Sequence, residues 1–355
     1  DWRSGYYRDQ TFMFAKGMSS VHAFFAQLYA IPDTEKEPAS GGRSMNGHFA
    51  TRLLDDQGNW LPQSDRYNSS ADISPTAGQM PRLLGLAVAS KLYRENPDLH
   101  QFDTFSNKGN EIAFGTIGNA SSSEGIFWEV MNAACVMQVP LLMSLWDDGY
   151  GISVPAKYQT AKENIAALMR GFQSNEEGKG LELLTARGWN YPELCRVYKQ
   201  AADICREKHT PVLVHVTEVT QPQGHSTSGS HERYKSKERL DWETEFDGIV
   251  QMRQWILNQE IATEEKITNL ENTATQSVKE GAAEVNVPLV KTGLNDREMV
   301  LPAEPKDPRA DPAETEFVTI ARAGPRAAWL ALRPNTGRTH QLRRSEEHTS
   351  ELQSH

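Results

Sequence analysis

The feature that most constrains the fold runs from Glu111 to Ser153, EIAFGTIGNASSSEGIFWEVMNAACVMQVPLLMSLWDDGYGIS. Glu111–Ile117 is a short run with β-branched and aromatic residues that stops at Gly118, the pattern of a buried strand. Ser121-Ser-Ser-Glu124 has capping-box spacing and predicts a helix opening there. Phe127, Val130, Met131 and Ala134 then repeat at helical spacing down one face. Val139-Pro140 ends that helix, and Leu141–Trp146 is a second apolar strand. Strand, helix, strand in this order is a βαβ unit with parallel strands, so the expected class is α/β: a mainly parallel sheet flanked by helices.

The geometry has a chemical consequence. Both strands end on the sheet edge where open α/β folds bind ligands. Asn119 follows the first strand, and Asp147 and Asp148 follow the second. A carboxylate, an amide oxygen and a loop carbonyl suit a hard cation such as magnesium, completed by phosphates and water. The helix N-terminus beside them favours phosphate. An ordinary strand–glycine–helix corner with a solvated Asp pair fits the same pattern.

The remaining chain supplies mixed signals. Tyr6–Ala30 reads as two amphipathic helices broken around Gly17, and 32–77 as mostly loop with Gly41-Gly42, Asn46-Gly47, Pro62 and Pro75. Gly78–Leu92 is a helix with small residues on one side. Helices are expected over 161–173, 191–208, 242–257 and 263–285, with strands at 181–184 and 211–217. From about Val287 to Pro312 no periodicity is visible; Phe317–Ile320 and Trp329–Leu332 read as short strands around an Ala-Gly-Pro turn. The chain opens at Asp1 without methionine, in what reads as the middle of a helix, so a fragment is expected. A formal net charge of −10 over 355 residues excludes a nucleic-acid-binding profile for the chain as a whole. Cys135, Cys195 and Cys205 form no CxxC and are odd in number, which fits reduced intracellular thiols with no disulfide framework or cysteine zinc site. No apolar run reaches membrane-spanning length, so no membrane partner is expected.

From about Trp2 to Val285 the chain resembles the alpha subunit of thiamine diphosphate-dependent 2-oxoacid dehydrogenases, most of all the branched-chain type. The family's magnesium motif opens with Gly-Asp-Gly or Gly-Glu-Gly and closes downstream in Asn-Asn. The matching positions here are Gly118-Asn119-Ala120 and Asp147-Asp148-Gly149-Tyr150. Acid and amide have exchanged places between Asn119 and Asp148, which keeps one negative charge and two oxygen ligands. The resemblance implies a thiamine diphosphate-binding fold, with Asn119, Asp148 and the Tyr150 carbonyl on magnesium. It implies Gly118, Ala120, Ser121 and Glu124 near the cofactor, although Glu124 could equally be only a helix cap. Tyr7-Arg8 matches a pair that holds the cofactor's diphosphate, and an arginine fork suits that group. Gly42–Phe49 resembles a Gly-Arg-Gln-Met loop whose active-site histidine maps to His48; Ser74 and Thr76 fall where backbone groups grip the pyrimidine. Gly224-His-Ser-Thr-Ser228 resembles a His-Ser-Thr-Ser loop with His225 as its active-site histidine, while His215 and His231 read as structural. What the resemblance implies is oxidative decarboxylation of a 2-oxoacid (branched-chain or pyruvate), with acyl transfer to a lipoyl acyltransferase. The glutamate that activates the cofactor belongs to a beta subunit or beta part in this family, so the chain alone is expected to be inactive.

The tail carries a different resemblance. Leu332–Arg343, LRPNTGRTHQLR, resembles a motif of RNA pseudouridine synthases, whose catalytic aspartate lies in an upstream His-Arg-Leu-Asp segment. Arg239-Leu240-Asp241 lacks the residues that should follow and lies inside the dehydrogenase-like region, so it is rejected as that aspartate. RSEEHTSELQSH, Arg344–His355, resembles translated sequencing adapter. The expected organisation is a cofactor-binding domain over 1–285, a synthase-like fragment over 286–343 and an artefactual, irregular tail over 344–355. The competing functions are an RNA pseudouridine synthase, with RNA contacts confined to the C-terminal motif, and an inactive cofactor-binding remnant.

Overall fold

The computed structural model describes residues 1–176, 179–225, 231–283, 289–294, 297–302, 315–323 and 327–334. The synthase-like motif from 335 onward, the 344–355 tail and Ser226–Ser228 of the histidine loop lie outside the described residues.

The strands in chain order are β1 (Trp2–Ser4), β2 (Asn68–Ser69), β3 (Ala113–Gly118), β4 (Leu141–Trp146), β5 (Tyr150–Gly151), β6 (Val154–Pro155), β7 (Glu182–Arg187) and β8 (Val212–Thr217), followed by β9 (Leu289–Leu294), β10 (Arg297–Pro302), β11 (Thr315–Ala323) and β12 (Ala327–Pro334). The helices are α1 (Gln10–Ala15), α2 (Val21–Leu28), α3 (Met80–Glu95), α4 (Gly125–Met137), α5 (Ile165–Met169), α6 (Tyr191–Asp203), α7 (Lys237–Glu245), α8 (Gly248–Asn258) and α9 (Glu264–Ala283). The chain divides into two units. The first comprises Asp1–Phe12, His48–Pro222 and Tyr234–Ala262; the second comprises Met13–Gly47, Gln223–Arg233 and the residues from Thr263 on.

The first unit is built on a six-stranded sheet of order β2-β1-β3-β4-β8-β7, parallel throughout. Side chains that alternate along each strand explain why both faces are covered. Leu141, Met143 and Leu145 of β4 pack with Met80, Leu83 and Ala87 of α3 and with Phe127, Val130, Met131 and Ala134 of α4. Leu142, between them in sequence, joins the opposite cluster with Val212, Val214 and Val216 of β8 and Val197, Ala201 and Cys205 from the α6 side. Each such fully buried side chain is worth about 1.5–3 kcal/mol, so register is strongly fixed: a one-residue slip of β4 would exchange the two sets. The chain winds from β1 to β2 in one direction and resumes at β3 on the other side of β1. That reversal is a topological switch point, and the loops after β1 and β3 diverge there.

The structure corrects several expectations. The opening residues are not helical: Trp2–Ser4 is a strand between β2 and β3, paired at Trp2 with Asn68 and Ala113. The capping box does not form. Ser121–Ser123 make a 3-10 turn, the Ser122 hydroxyl donates to the Asn119 carbonyl at 2.5 Å, and α4 begins at Gly125 with no side-chain cap from Glu124. The expected helix 161–173 is broken, because Asn164 turns extended and its side chain caps Ala167 to start α5 afresh. The helix expected over 242–257 is two helices. Ser236 caps α7 at the Arg239 N–H, earlier than expected, and Asp247 caps α8 at the Ile249 N–H.

In the second unit, Ser20 caps α2 at Ala23, and Phe25 of α2 lies so close to Gly281 of α9 that an added Cβ there would stand 2.7 Å from the ring. The buried Glu37 carboxylate accepts the backbone N–H groups of Ala39, Ser40 and Gly42, folding the 37–42 loop around itself. β9 and β10 pair antiparallel, although no periodicity is visible there in the sequence, and β11 and β12 do likewise.

Candidate active site

Every strand of the parallel sheet delivers its following loop to one edge. After β1 come Tyr6–Asp9, after β2 Ser70–Gly78, after β3 Asn119–Glu124, and after β4 Asp147–Tyr150. Hydrogen bonds tie the first three together. Thr116 Oγ1 donates to Asp9 Oδ2 at 2.6 Å, Gln79 Nε2 to the Thr116 carbonyl at 2.8 Å, and Ser4 Oγ to the Gln79 carbonyl at 3.1 Å.

The loops after β1 and β2 bring Tyr7, Arg8, Ser74 and Thr76, half of the cofactor-binding residues inferred from the sequence, into one group with His48. The Tyr7 ring stacks on His48 with centroids 5.8 Å apart, and the Arg8 guanidinium lies 5.2 Å from the Tyr7 centroid. His48 Nε2 and Ser74 Oγ share a 2.7 Å hydrogen bond. Tyr6 lies beside Tyr7, with ring centroids 4.5 Å apart, and burial pushes its phenol above the ordinary range. Beneath them lies a buried charge network that the sequence did not announce. Arg3 donates to Asp9 at 2.7 Å and to Ser69 Oγ at 2.8 Å. Its Nη1 also stands 2.8 Å from Asp72 Oδ1, but off the hydrogen-bonding direction, so the contact is a charge pair only. Asp72 in turn accepts the Phe49 N–H at 3.2 Å, beside His48.

Burial pushes the Asp72 carboxyl up to about 6, against the pull of Arg3. The folded value thus stands above the unfolded 3.8, so the folded chain holds a proton between roughly pH 4 and 6 that the unfolded chain has lost. The corresponding stability is complete below pH 4 and disappears as the pH rises through about 6. Two units correspond to at most about 3 kcal/mol. Urea unfolding of the wild type and Asp72→Asn across pH 4 to 6.5 is expected to show a stability difference that shifts over this window by up to that amount. A constant difference would contradict it.

The β3 and β4 loops form the second group. Gly118 pairs with Trp146 at the strand ends, and the Asn119 N–H donates to the Trp146 carbonyl at 2.9 Å. A Cβ on Gly151 would stand 2.8 Å from Ala120 Cβ, so the turn after β4 packs directly on the turn after β3. Gly149 takes φ +79°, a conformation that lets the chain reverse between Asp148 and β5. The two aspartates have separate duties. Asp147 Oδ1 accepts the Gly149 N–H at 2.9 Å, and its Oδ2 accepts from Nε2 of the buried His215 at 2.8 Å. Asp148 Oδ1 accepts only the Tyr150 N–H, at 3.1 Å, and burial raises its carboxyl above the usual range. Among the described residues, neither Asp148 Oδ2 nor the Asn119 amide has a hydrogen-bond partner in the protein.

The described residues hold no cluster of three or more His, Cys, Asp or Glu side chains suited to a metal. A site of one carboxylate, one amide and one backbone carbonyl lies outside that chemistry. Its uncommitted oxygens on touching turns fit a hard cation that keeps other ligands from phosphate and water. Ala120 and Ser121 sit in the turn between, and Glu124 precedes α4. His225 belongs to the second unit, where the adjoining Gly224 takes φ +77° and abuts His231. The sequence reading missed Arg3, Asp9, Asp72 and the Asp147–His215 pair. A histidine inside the apolar strand Pro211–Thr217 was the available signal, since a buried polar side chain there needs a partner.

Residues 1–290 match the family model described as dehydrogenase E1 component. The 2-oxoisovalerate dehydrogenase subunit alpha of Bacillus subtilis is 26% identical over 250 residues, 70% of this chain and 64% of its own length. The pyruvate dehydrogenase E1 component subunit alpha of Rickettsia felis is 27% identical over 202 residues, 57% of this chain and 55% of its own. The mitochondrial 2-oxoisovalerate dehydrogenase subunit alpha of Mus musculus is 28% identical over 188 residues, 52% of this chain and 37% of its own. The chain thus spans about two thirds or less of these curated relatives. With the match covering the whole parallel sheet and both loop groups at its edge, the chain belongs to the dehydrogenase E1 component family, as an alpha-type domain.

Proposed function

We propose that this chain is the alpha part of a thiamine diphosphate- and magnesium-dependent 2-oxoacid dehydrogenase, acting on a branched-chain 2-oxoacid or pyruvate and passing the acyl group to a lipoyl acyltransferase. The observation that carries the reading is the switch point. There the sheet delivers an arginine–tyrosine pair after β1 and a carboxylate–amide pair after β3 and β4 to one edge. Bound thiamine diphosphate would supply a nucleophilic thiazolium carbon and an electron sink for loss of CO₂.

The chain's own residues bind and orient. The Arg8 fork and Tyr7 suit diphosphate oxygens, because charge-assisted bidentate bonds are strong and directional. Asn119, Asp148 and the Tyr150 carbonyl would hold magnesium, with Gly118, Ala120, Ser121 and Glu124 lining the turn beside it. Ser74 and Thr76 offer their backbone to the pyrimidine. His48 is held by Ser74 and Tyr7, and the resemblance makes His48 and His225 the candidates for proton donation. The free thiols Cys135, Cys195 and Cys205 fit the bacterial cytoplasm proposed as its location. The RNA-modifying alternative rests on the tail motif alone, and the residues of its one upstream match include Arg239, which is committed to Glu243 and the Asp148 carbonyl.

Calorimetric titration of the full chain with thiamine diphosphate tests the reading, alone and with the beta subunit of a bacterial 2-oxoisovalerate dehydrogenase. Binding heat is expected with magnesium and not after chelation, and 2-oxoacid decarboxylation only with the beta subunit. Absence of heat under every condition would overturn the proposal. Vigorous decarboxylation by the chain alone would overturn the claim that it holds half a site.

A further inference from the structure

The segment Tyr234–Glu245 carries a buried ion group that the proposed chemistry does not use. Lys235 Nζ donates to both Glu243 oxygens, at 2.7 and 2.9 Å, with the two side chains 1% and 0% exposed. Arg239 Nε donates to the same Glu243 Oε1 at 2.7 Å. A lysine–glutamate pair withdrawn from water, with the half-buried Arg239 as a second cation on the same carboxylate, is a costly arrangement that apolar residues could replace, so a role other than stability is indicated.

The other contacts show where it acts. Arg239 Nη2 donates to the Asp148 carbonyl at 2.7 Å. The Lys235 ammonium and the Arg239 guanidinium lie 5.1 and 5.7 Å from the centroid of the Tyr150 ring, whose far neighbour is Tyr234 at 5.8 Å. The ion group therefore grips the backbone of one proposed magnesium ligand and the ring of another.

We infer that Lys235, Arg239 and Glu243 are positioning residues that fix the Asp148–Tyr150 turn and so preset its oxygens for the cation; this rests on the functional reading above. Arg239 is the joint, because one planar fork meets Glu243 through Nε and the Asp148 carbonyl through Nη2 at the same time. A lysine ammonium at 239 can keep the charge but cannot span both acceptors. Glu243 fixes where that fork lies, and Lys235 fixes Glu243. Outer partners of this kind typically change metal affinity by about 10–100-fold.

The test uses the full chain with the beta subunit and the variants Arg239→Lys and Arg239→Met, with Lys199→Met as control because Lys199 is exposed and pairs with the exposed Asp203 on the same helix. Amide exchange over residues 147–156 is measured first, with neither metal nor cofactor. The magnesium concentration for half-maximal thiamine diphosphate binding is measured next. Both Arg239 variants are expected to exchange faster over 147–156 and to need about 10–100-fold more magnesium, while the control matches wild type. Arg239→Lys should retain more thermal stability than Arg239→Met, since it still neutralises Glu243, yet share its magnesium defect. Unchanged exchange in both variants would overturn the inference, as would faster exchange with an unchanged magnesium requirement. If the wild type shows no magnesium-dependent binding, the functional reading fails, and the proposed presetting of a cation site fails with it whatever the exchange rates are.

Discussion

Asp148→Ala is expected to remove magnesium-dependent thiamine diphosphate binding, by more than about 100-fold, without lowering the thermal midpoint. The loss follows from the donor set. Asp148 is the one carboxylate among Asn119, Asp148 and Tyr150, so without it the protein offers a dication neutral oxygens only. The unchanged or raised midpoint follows from its surroundings. Burial holds the Asp148 carboxyl above the usual range, so its charged form opposes folding. Removing it gives up one 3.1 Å hydrogen bond from the Tyr150 N–H and relieves that opposition. A residue kept against stability at a sheet edge is what a ligand site requires.

The exchange of acid and amide sharpens the same experiment. Asp148→Asn alone should abolish binding, because no carboxylate then remains in the set. The double exchange Asn119→Asp with Asp148→Asn restores one acid and one amide on the two touching turns and should recover most of the binding. The non-additivity of that cycle is the quantity to measure. If the single and double variants bind alike, the two residues do not share an ion.

How much of this was legible in the sequence depends on the range of the interaction. The βαβ unit was readable because its apolar spacing is local: Leu141, Met143 and Leu145 against Leu142 already encode a sheet covered on both faces. The sheet edge as the ligand side followed from that unit alone. The first strand was not readable, since Trp2–Ser4 carries one large apolar residue and is held by pairing to β2 and β3, far along the chain. The Ser121–Glu124 turn misled because its spacing fits a capping box, whereas Ser122 bonds backward to Asn119. The clamp on Tyr150 runs from Lys235, just before α7, to Arg239 and Glu243 within it, a charged stretch in which nothing local announces burial. Asp147 and Asp148 are adjacent and chemically identical; the resemblance alone singled out Asp148, whereas the partnership of Asp147 with His215, which leaves Asp148 Oδ2 uncommitted, needed the third dimension.

That division of labour yields the opposite expectation for Asp147. Asp147→Ala should destabilise the chain by about 2–4 kcal/mol, read as a lower urea midpoint with an unchanged slope. The sequence alone made Asp147 the less important of the pair; the structure makes it the turn's internal brace. His215 is 1% exposed, its Nε2 points to Asp147 at 2.8 Å, and its Nδ1 has no partner among the described residues. Because the carboxylate accepts, the ring carries its proton on Nε2, and deleting Asp147 would strand a buried donor. An unsatisfied buried polar group costs about 1–3 kcal/mol. Losing the acceptor of the Gly149 N–H, where φ is +79°, adds about 1 kcal/mol more. Asp147→Asn keeps one carbonyl oxygen for one of these two donors and should fall between the alanine variant and wild type. Metal-dependent binding by the folded fraction of Asp147→Ala should weaken far less than in Asp148→Ala. Equal loss of binding in the two alanine variants, at equal stability, would mean that the ligand aspartate has been assigned to the wrong residue.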